Sequence, residues 1–232
     1  MKIVKFESWW VKRDQCLFDE KRRGGGKMPW DVVVIKLTTD TGIEGIATAM
    51  AARSGQVTES YLCDTVAPMV MGRSPYDREK IFYDFWNLDR HEAFFPVFLP
   101  GSVDVALWDI CAKAAGLPLY QYIGAYRESL PVYASSLFYD TVDAYVNEAL
   151  YYRDKGIPFY KAHPPGPYEF DMEIHQKLRE AVGPDMGLMT DPVGEYSLDE
   201  AITVGRHLEK LNYLWFEAVS YTHLTLPTIY SV

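Results

Sequence analysis

The sequence predicts a mixed α/β protein: an α+β unit first, then a series of parallel βα units. Three observations carry this. Residues 1–62 alternate apolar and polar positions in the manner of an antiparallel sheet. After Leu130 the rhythm changes to strand, helix, strand, helix, the pattern of helices covering a parallel sheet. Apolar residues are 48% and aromatics 15% of the 232, enough to build a sizeable core.

In the first part, Val32 to Thr38 is β-branched and apolar. "TDTGIEG" supplies a turn before a second run, Ile43 to Met50. Between the N-terminal strand and this pair lies "KRDQCLFDEKRRGGGKMPW", charged and Gly-rich, which reads as a long mobile loop. A helical stretch is expected around residues 57–86. "GSVDVALWDICAKAAGLP" reads as a helix capped by Ser102, with Asp104 near its positive end. Val103, Ala106, Leu107, Ile110 and Ala114 fall on one face, and Gly116 ends it.

In the second part, "PVYASS" is a short strand, and Asp140 is placed to cap a helix carrying Val142, Val146, Ala149 and Leu150 inward, as far as Gly156. "PFYKAH" is the second strand, followed by a helix from about Asp171 to Gly183. "GLMTD" is the third, and Ser197 with Glu200 forms a capping box on the next helix. Leu214 to Ala218, "LWFEA", reads as a buried fourth strand.

Composition excludes several classes of function. The net charge of −9 offers no basic face for nucleic acid. It leaves a small anionic substrate open, because one local cationic site can outweigh the global sign. No apolar run reaches the roughly 18 residues of a membrane helix, and "MKIVKFESWW" is not a signal peptide, so no membrane partner is expected. Three widely spaced cysteines, Cys16, Cys63 and Cys111, argue against a disulfide framework or zinc cluster and fit a reducing cytoplasm.

Polar residues gather at the predicted strand ends. Lys161 and His163 are two apart and so project to one side of their strand. Asp191 follows Lys161 by 30 residues and Glu217 follows Asp191 by 26, about one βα repeat each. All four therefore arrive at the carboxyl ends of neighbouring parallel strands, the active-site rim of a (β/α)8 barrel. Two carboxylates one strand apart suit a hard cation such as Mg2+, and a lysine and histidine beside them offer charge stabilisation and a base. Singly, each also reads as a turn former or a solvated side chain. Their spacing on consecutive strands is what points to a site.

These segments resemble the enolase superfamily, in its mandelate racemase and muconate lactonizing enzyme branch. "GSVDVALWDICAKAAGLPLYQYIGA" is similar to the segment joining the capping domain to the barrel, "YKAH" to the K-x-K strand end, "LMTDPVGEYS" to the segment with the first metal ligand, and "WFEA" to the "W-[FI]-E-E-P" of the second. The resemblance implies an α+β capping domain over residues 1–128 and the first half of a (β/α)8 barrel over 129–218. It implies Mg2+ on Asp191 and Glu217, binding a substrate carboxylate and stabilising the enediolate left when the α-proton departs. Lys161 matches the first lysine, which stabilises developing negative charge. His163 stands in the second lysine's place, a departure; it serves either as the base or only to orient a substrate hydroxyl. The expected reaction is dehydration of a sugar acid to a 2-keto-3-deoxy acid. Racemisation or epimerisation is the alternative, and a non-catalytic protein keeping the fold is a third. The full-length parent is expected to be a homo-oligomer.

Other features are weaker. "RRGGGK" (22–27) lacks the spacing of a phosphate loop, and in the family this segment closes over the substrate. Trp9, Trp10 and Trp30 either line a pocket or pack the small domain. Arg90 and His91 are specificity residues or a solvated loop, and Asp109 reads as a structural hydrogen-bonding residue. Residues 219–232 carry no Asp, Glu, Lys or Arg where about three would be expected. "SYTHLTLPTIYSV" resembles translated adapter read-through, so an artefactual tail on a gene truncated after the fourth barrel strand is expected, leaving the fragment inactive. A genuine apolar edge strand is the alternative.

Overall fold

Strand β1 (Ile3–Val11) opens the chain, and a short antiparallel pair follows, β2 (Cys16–Phe18) with β3 (Met28–Pro29). The computed structural model describes residues 1–12, 16–18, 28–29, 31–51, 54–92, 96 and 98–217. The β2–β3 pair corrects the reading of this whole region as loop, since Cys-Leu-Phe is itself a β-forming run. The glycine run 22–27, Trp30 and the tail 219–232 lie outside the described residues.

The hairpin β4 (Val32–Thr39) and β5 (Glu44–Met50) joins β1 in an antiparallel sheet ordered β1-β4-β5. Period-two alternation buries Val33, Ile35 and Leu37 on one face. Each such side chain contributes about 1.5–3 kcal/mol of transfer free energy. The predicted helical stretch around 57–86 is made of α1 (Gly55–Tyr61), one π-helical turn (Leu62–Val66), α2 (Ala67–Val70) and α3 (Arg78–Glu92), with a turn between α2 and α3. Pro68 follows closely on the π-helical turn, and Gly72 at φ +76° turns the chain before α3.

Helix α4 (Phe98–Ala114) packs on β5, burying Val103, Ala106, Leu107 and Ile110. Gly45 permits this, because a Cβ there would run into the Ala106 carbonyl. The helix begins earlier than its composition suggested. Ser102 is therefore not its cap but an interior residue whose hydroxyl donates to the Leu99 carbonyl at 2.7 Å. Asp104 is likewise interior, and burial pushes its carboxyl up. Ala114 is exposed, and Cys111 takes the inward place. A short helix, α5 (Leu119–Tyr122), follows. Met1–Glu128 form one compact unit and Ser129–Val232 a second.

The second unit is a parallel sheet, β6 (Ala134–Ser135), β7 (Phe159–Ala162), β8 (Gly187–Thr190) and β9 (Trp215–Phe216), in sequence order. Helices α6 (Val142–Asp154), α7 (Tyr168–Val182) and α8 (Leu198–Lys210) connect the strands. Thr141, not Asp140, caps α6. α7 starts three residues before Asp171, which becomes a buried first-turn residue. The Ser197–Glu200 capping box on α8 is present. Tyr160, Ala162 and Leu188 bury with Tyr145, Ala149, Ile174 and Leu178 from the helices. Leu214 and Trp215 are exposed rather than buried, because β9 is the sheet's edge among the described residues. Among the described residues, no helix is long and apolar enough to cross a membrane.

Candidate active site

The register of the parallel sheet decides where the predicted residues stand. Lys161 pairs with Met189, and Met189 with Trp215, so all three occupy one level and project to one side. The ladder continues past the strand ends: Asp191 N–H donates to the Ala162 carbonyl and Glu217 N–H to the Thr190 carbonyl, both at 2.9 Å. Asp191 and Glu217 therefore share the next level up, two residues beyond Met189 and Trp215. Lys161 reaches upward to both. Its Nζ lies 3.4 Å from Asp191 Oδ2 and 3.1 Å from Glu217 Oε2. His163 Nε2 lies 3.3 Å from the same Asp191 Oδ2. The structure brings together all four residues that the spacing singled out.

Burial works to lower the Lys161 pKa. The hydrogen bond to Glu217 and the charges of Asp191 and Glu217 outweigh it, so the ammonium is held above its ordinary value of 10.5. The two carboxylates thus favour the charged form of Lys161. The Tyr133 ring lies 5.6 Å from its Nζ and adds a weak cation–π attraction.

His163 is held on three sides. Its Nδ1 lies 2.8 Å from the Ser136 carbonyl, and its backbone N–H donates to the Ser136 hydroxyl at 2.8 Å. The Tyr145 hydroxyl donates to the His163 carbonyl at 2.7 Å. Nδ1 thus faces a carbonyl and Nε2 faces the Asp191 carboxylate, two groups that can only accept, so a neutral ring donates to one of them. Sequence reading missed Ser136 and Tyr145. Ser136 lies within the recognised "PVYASS" run, but nothing there distinguishes it from Ser135; Tyr145 falls at helical spacing from Ala149 and could have been counted with the inward face.

Asp191 is fixed from its other oxygen, Oδ1, which accepts the Val193 N–H at 3.0 Å. This turn carries Val193 into the left-handed region, φ +56°, where a β-branched side chain is strained. The two loops bearing His163 and Asp191 meet at Asp171. Its carboxylate accepts the Gly166 N–H at 2.9 Å and the Tyr196 hydroxyl at 2.6 Å.

The remaining candidates stand elsewhere. Trp10 Nε1 donates to Asp31 at 2.7 Å, while Trp9 is exposed. Arg90 and His91 are exposed and 3.4 Å apart. Asp109 accepts the Ile46 N–H at 3.0 Å and pairs with Lys113 at 2.7 Å, a structural role. Cys63 and Cys111 are both free thiols.

The donors near Lys161 suit a hard divalent cation in kind, being carboxylate oxygens around a point that already draws an ammonium. They number two. Among the described residues, no group of three or more His, Cys, Asp or Glu side chains is arranged to hold a metal ion.

The chain is similar to known proteins over most of its length. The family model for the mandelate racemase / muconate lactonizing enzyme N-terminal domain matches residues 27–124, and the enolase C-terminal domain-like model matches 144–223. The L-talarate/galactarate dehydratase of Salmonella typhimurium is 28% identical, covering 80% of this chain and 48% of its own. The D-galactarolactone cycloisomerase of Agrobacterium fabrum is 29% identical, covering 80% and 50%. Among solved structures, D-glucarate dehydratase from Agrobacterium tumefaciens, complexed with magnesium, superposes with a TM-score of 0.82 at 25% identity, covering 97% of this chain and 62% of the other. The chain spans about half the length of the curated relatives it matches.

Proposed function

The chain belongs to the mandelate racemase and muconate lactonizing enzyme branch of the enolase superfamily, with the fold of a capping domain and part of a (β/α)8 barrel, and we propose that it carries the proton-abstracting half of a sugar-acid dehydratase site. The observation that carries this is the Lys161 ammonium between two carboxylates, with His163 Nε2 beside them. Sugar-acid dehydratases and a cycloisomerase among the relatives support the substrate class and the shared first step.

Asp191 and Glu217 would hold Mg2+, which when bound supplies a Lewis acid for the substrate carboxylate. The other steps belong to the chain's own side chains. His163 enters with Nδ1 protonated toward Ser136, so Nε2 is free to take the α-proton. The electron pair of the C–H bond moves into the carboxyl group, where the fixed charge of Lys161 offsets the developing negative charge. The β-hydroxyl then departs as water, taking the proton that His163 removed from the α-carbon, and leaves the enol of a 2-keto-3-deoxy acid. Return of a proton to carbon instead would give an isomerase, the second reading, and the cycloisomerase relative favours keeping it open.

The test is a panel of sugar acids with Mg2+ in D2O, assayed for deuterium at the α-carbon and for 2-keto-3-deoxy acid. It is run on residues 1–232 and on the same residues joined to the remaining barrel of a relative. His163→Asn should abolish exchange in the joined protein while metal binding persists. Exchange unchanged by that substitution would reduce His163 to a positioning residue.

A further inference from the structure

Two acceptors compete for one proton on the His163 ring. The Ser136 carbonyl faces Nδ1 at 2.8 Å, and Asp191 Oδ2 faces Nε2 at 3.3 Å. A neutral imidazole can donate to only one of them. With the proton on Nδ1, Nε2 keeps its lone pair and can accept a proton. With the proton on Nε2, the ring is tied to Asp191 and has no base on the reaction side. The tautomer therefore decides whether this side chain can act.

What holds the ring toward Ser136 is a buried set of hydrogen bonds outside the four predicted site residues. Ser136 is 3% exposed and uses its whole polar complement on the end of β7. Its N–H donates to the Lys161 carbonyl at 2.9 Å, its hydroxyl accepts the His163 N–H, and its carbonyl receives Nδ1. On β7, the Tyr160 phenol donates to Glu148 Oε2 at 2.7 Å. From the other side, the fully buried Tyr145 hydroxyl donates to the His163 carbonyl and accepts the Tyr139 N–H at 2.9 Å. Backbone N–H and C=O of His163 are thus each gripped by a different side chain.

We propose that Ser136 and Tyr145 are positioning residues that set the His163 tautomer, by holding its backbone so that Nδ1 meets the Ser136 carbonyl and Nε2 stays free. The catalytic meaning rests on the proposed role of His163 as base, but the tautomer is a property of the folded chain and is measured without turnover.

The experiment uses residues 1–232 labelled with 15N-histidine, without added metal. Long-range 1H–15N correlation spectra separate protonated from unprotonated ring nitrogens. The His163→Asn variant identifies the His163 signals, and spectra are taken up a pH series until the ring shifts stop moving. The wild-type ring should show a protonated Nδ1 and a bare Nε2. Ser136→Ala and Tyr145→Phe should each move the tautomer ratio toward Nε2–H by roughly fivefold, the equivalent of one ordinary hydrogen bond. Ser136→Thr, which keeps the hydroxyl, should restore it. A wild-type ring protonated at Nε2 would overturn the proposal. So would a ratio unmoved in the folded Ser136→Ala and Tyr145→Phe proteins, since a purely structural role lowers melting temperature without touching the tautomer. If the tautomer behaves as expected but His163→Asn leaves α-proton exchange intact, the base assignment fails and the positioning stands.

Discussion

The imidazole of His175 is fully buried with Nε2 2.9 Å from the Thr190 hydroxyl, and its Nδ1 has no hydrogen-bond partner among the described residues. Thr190 is the residue before Asp191, so this histidine sits behind the candidate site rather than in it. Burial, with a smaller contribution from His207, drives its pKa from 6.5 down to about 3.

The sign of the pH effect follows. The unfolded chain takes up a proton on His175 below about pH 6.5, while the folded protein resists until about pH 3. Stability is fully present above pH 6.5 and falls with pH through that window, at up to about 1.4 kcal/mol per unit. Urea unfolding at pH 7.5, 6 and 5 should show this loss, and His175→Leu should remove most of the slope between pH 6.5 and 5. An identical slope in the variant would show that His175 does not resist protonation.

Asp171 ties the loop after β7 to the loop after β8 through Gly166 and Tyr196. Asp171→Ala leaves a partly buried N–H and a buried phenol without their acceptor, and should cost about 3 kcal/mol. Tyr196→Phe should cost about 1–2 kcal/mol. Because the two share one interaction, the double variant should lose less than the sum. Strict additivity in denaturant unfolding would mean the two loops are not coupled there.

Val193 occupies φ +56° with an exposed side chain. Asparagine tolerates that region better than a β-branched residue, so Val193→Asn should raise stability by about 0.5–1 kcal/mol. The gain is read as a higher melting temperature. A loss would place the strain elsewhere in the Asp191 turn.

Lys161 bridges the two carboxylates that Mg2+ would need. Mg2+ favours six oxygen ligands and gives up water reluctantly, so residues 1–232 should bind it weakly, on the order of millimolar, with no measurable turnover. Removing the competing ammonium with Lys161→Met should tighten Mg2+ by about tenfold while abolishing α-proton exchange in a protein joined to a relative's remaining barrel strands. Calorimetric titration checks the first effect and the deuterium assay the second. Weaker Mg2+ binding in Lys161→Met would show that the lysine orders the carboxylates rather than competing for them.

Periodicity alone located the β4–β5 hairpin, the α8 capping box and the four strands of the second sheet, because alternation and capping are local properties of the chain. It missed helix starts where burial overrode local preference. Ser102 looks like a cap, yet α4 begins four residues earlier because Leu99 and Val103 both bury against the sheet. Within the helical stretch around 57–86 the chain turns at Gly72, where φ is positive. Leu214 and Trp215 carry the composition of a core strand but lie exposed at an edge, and composition does not say which strand is an edge.

The sequence by itself determined which residues could meet at one rim. Lys161 lies next to the end of β7, and His163, Asp191 and Glu217 lie one residue past the ends of β7, β8 and β9, with one βα repeat between successive strands. A strand's period of two then fixes which side each faces. Only the tertiary structure decided how they are held. Ser136 grips His163 from 27 residues away, Tyr145 from 18, and Tyr196 reaches Asp171 across 25. These bonds depend on the register between strands and on the seating of α6 and α7 against them, and neither quantity is encoded in the spacing of residues along one chain segment.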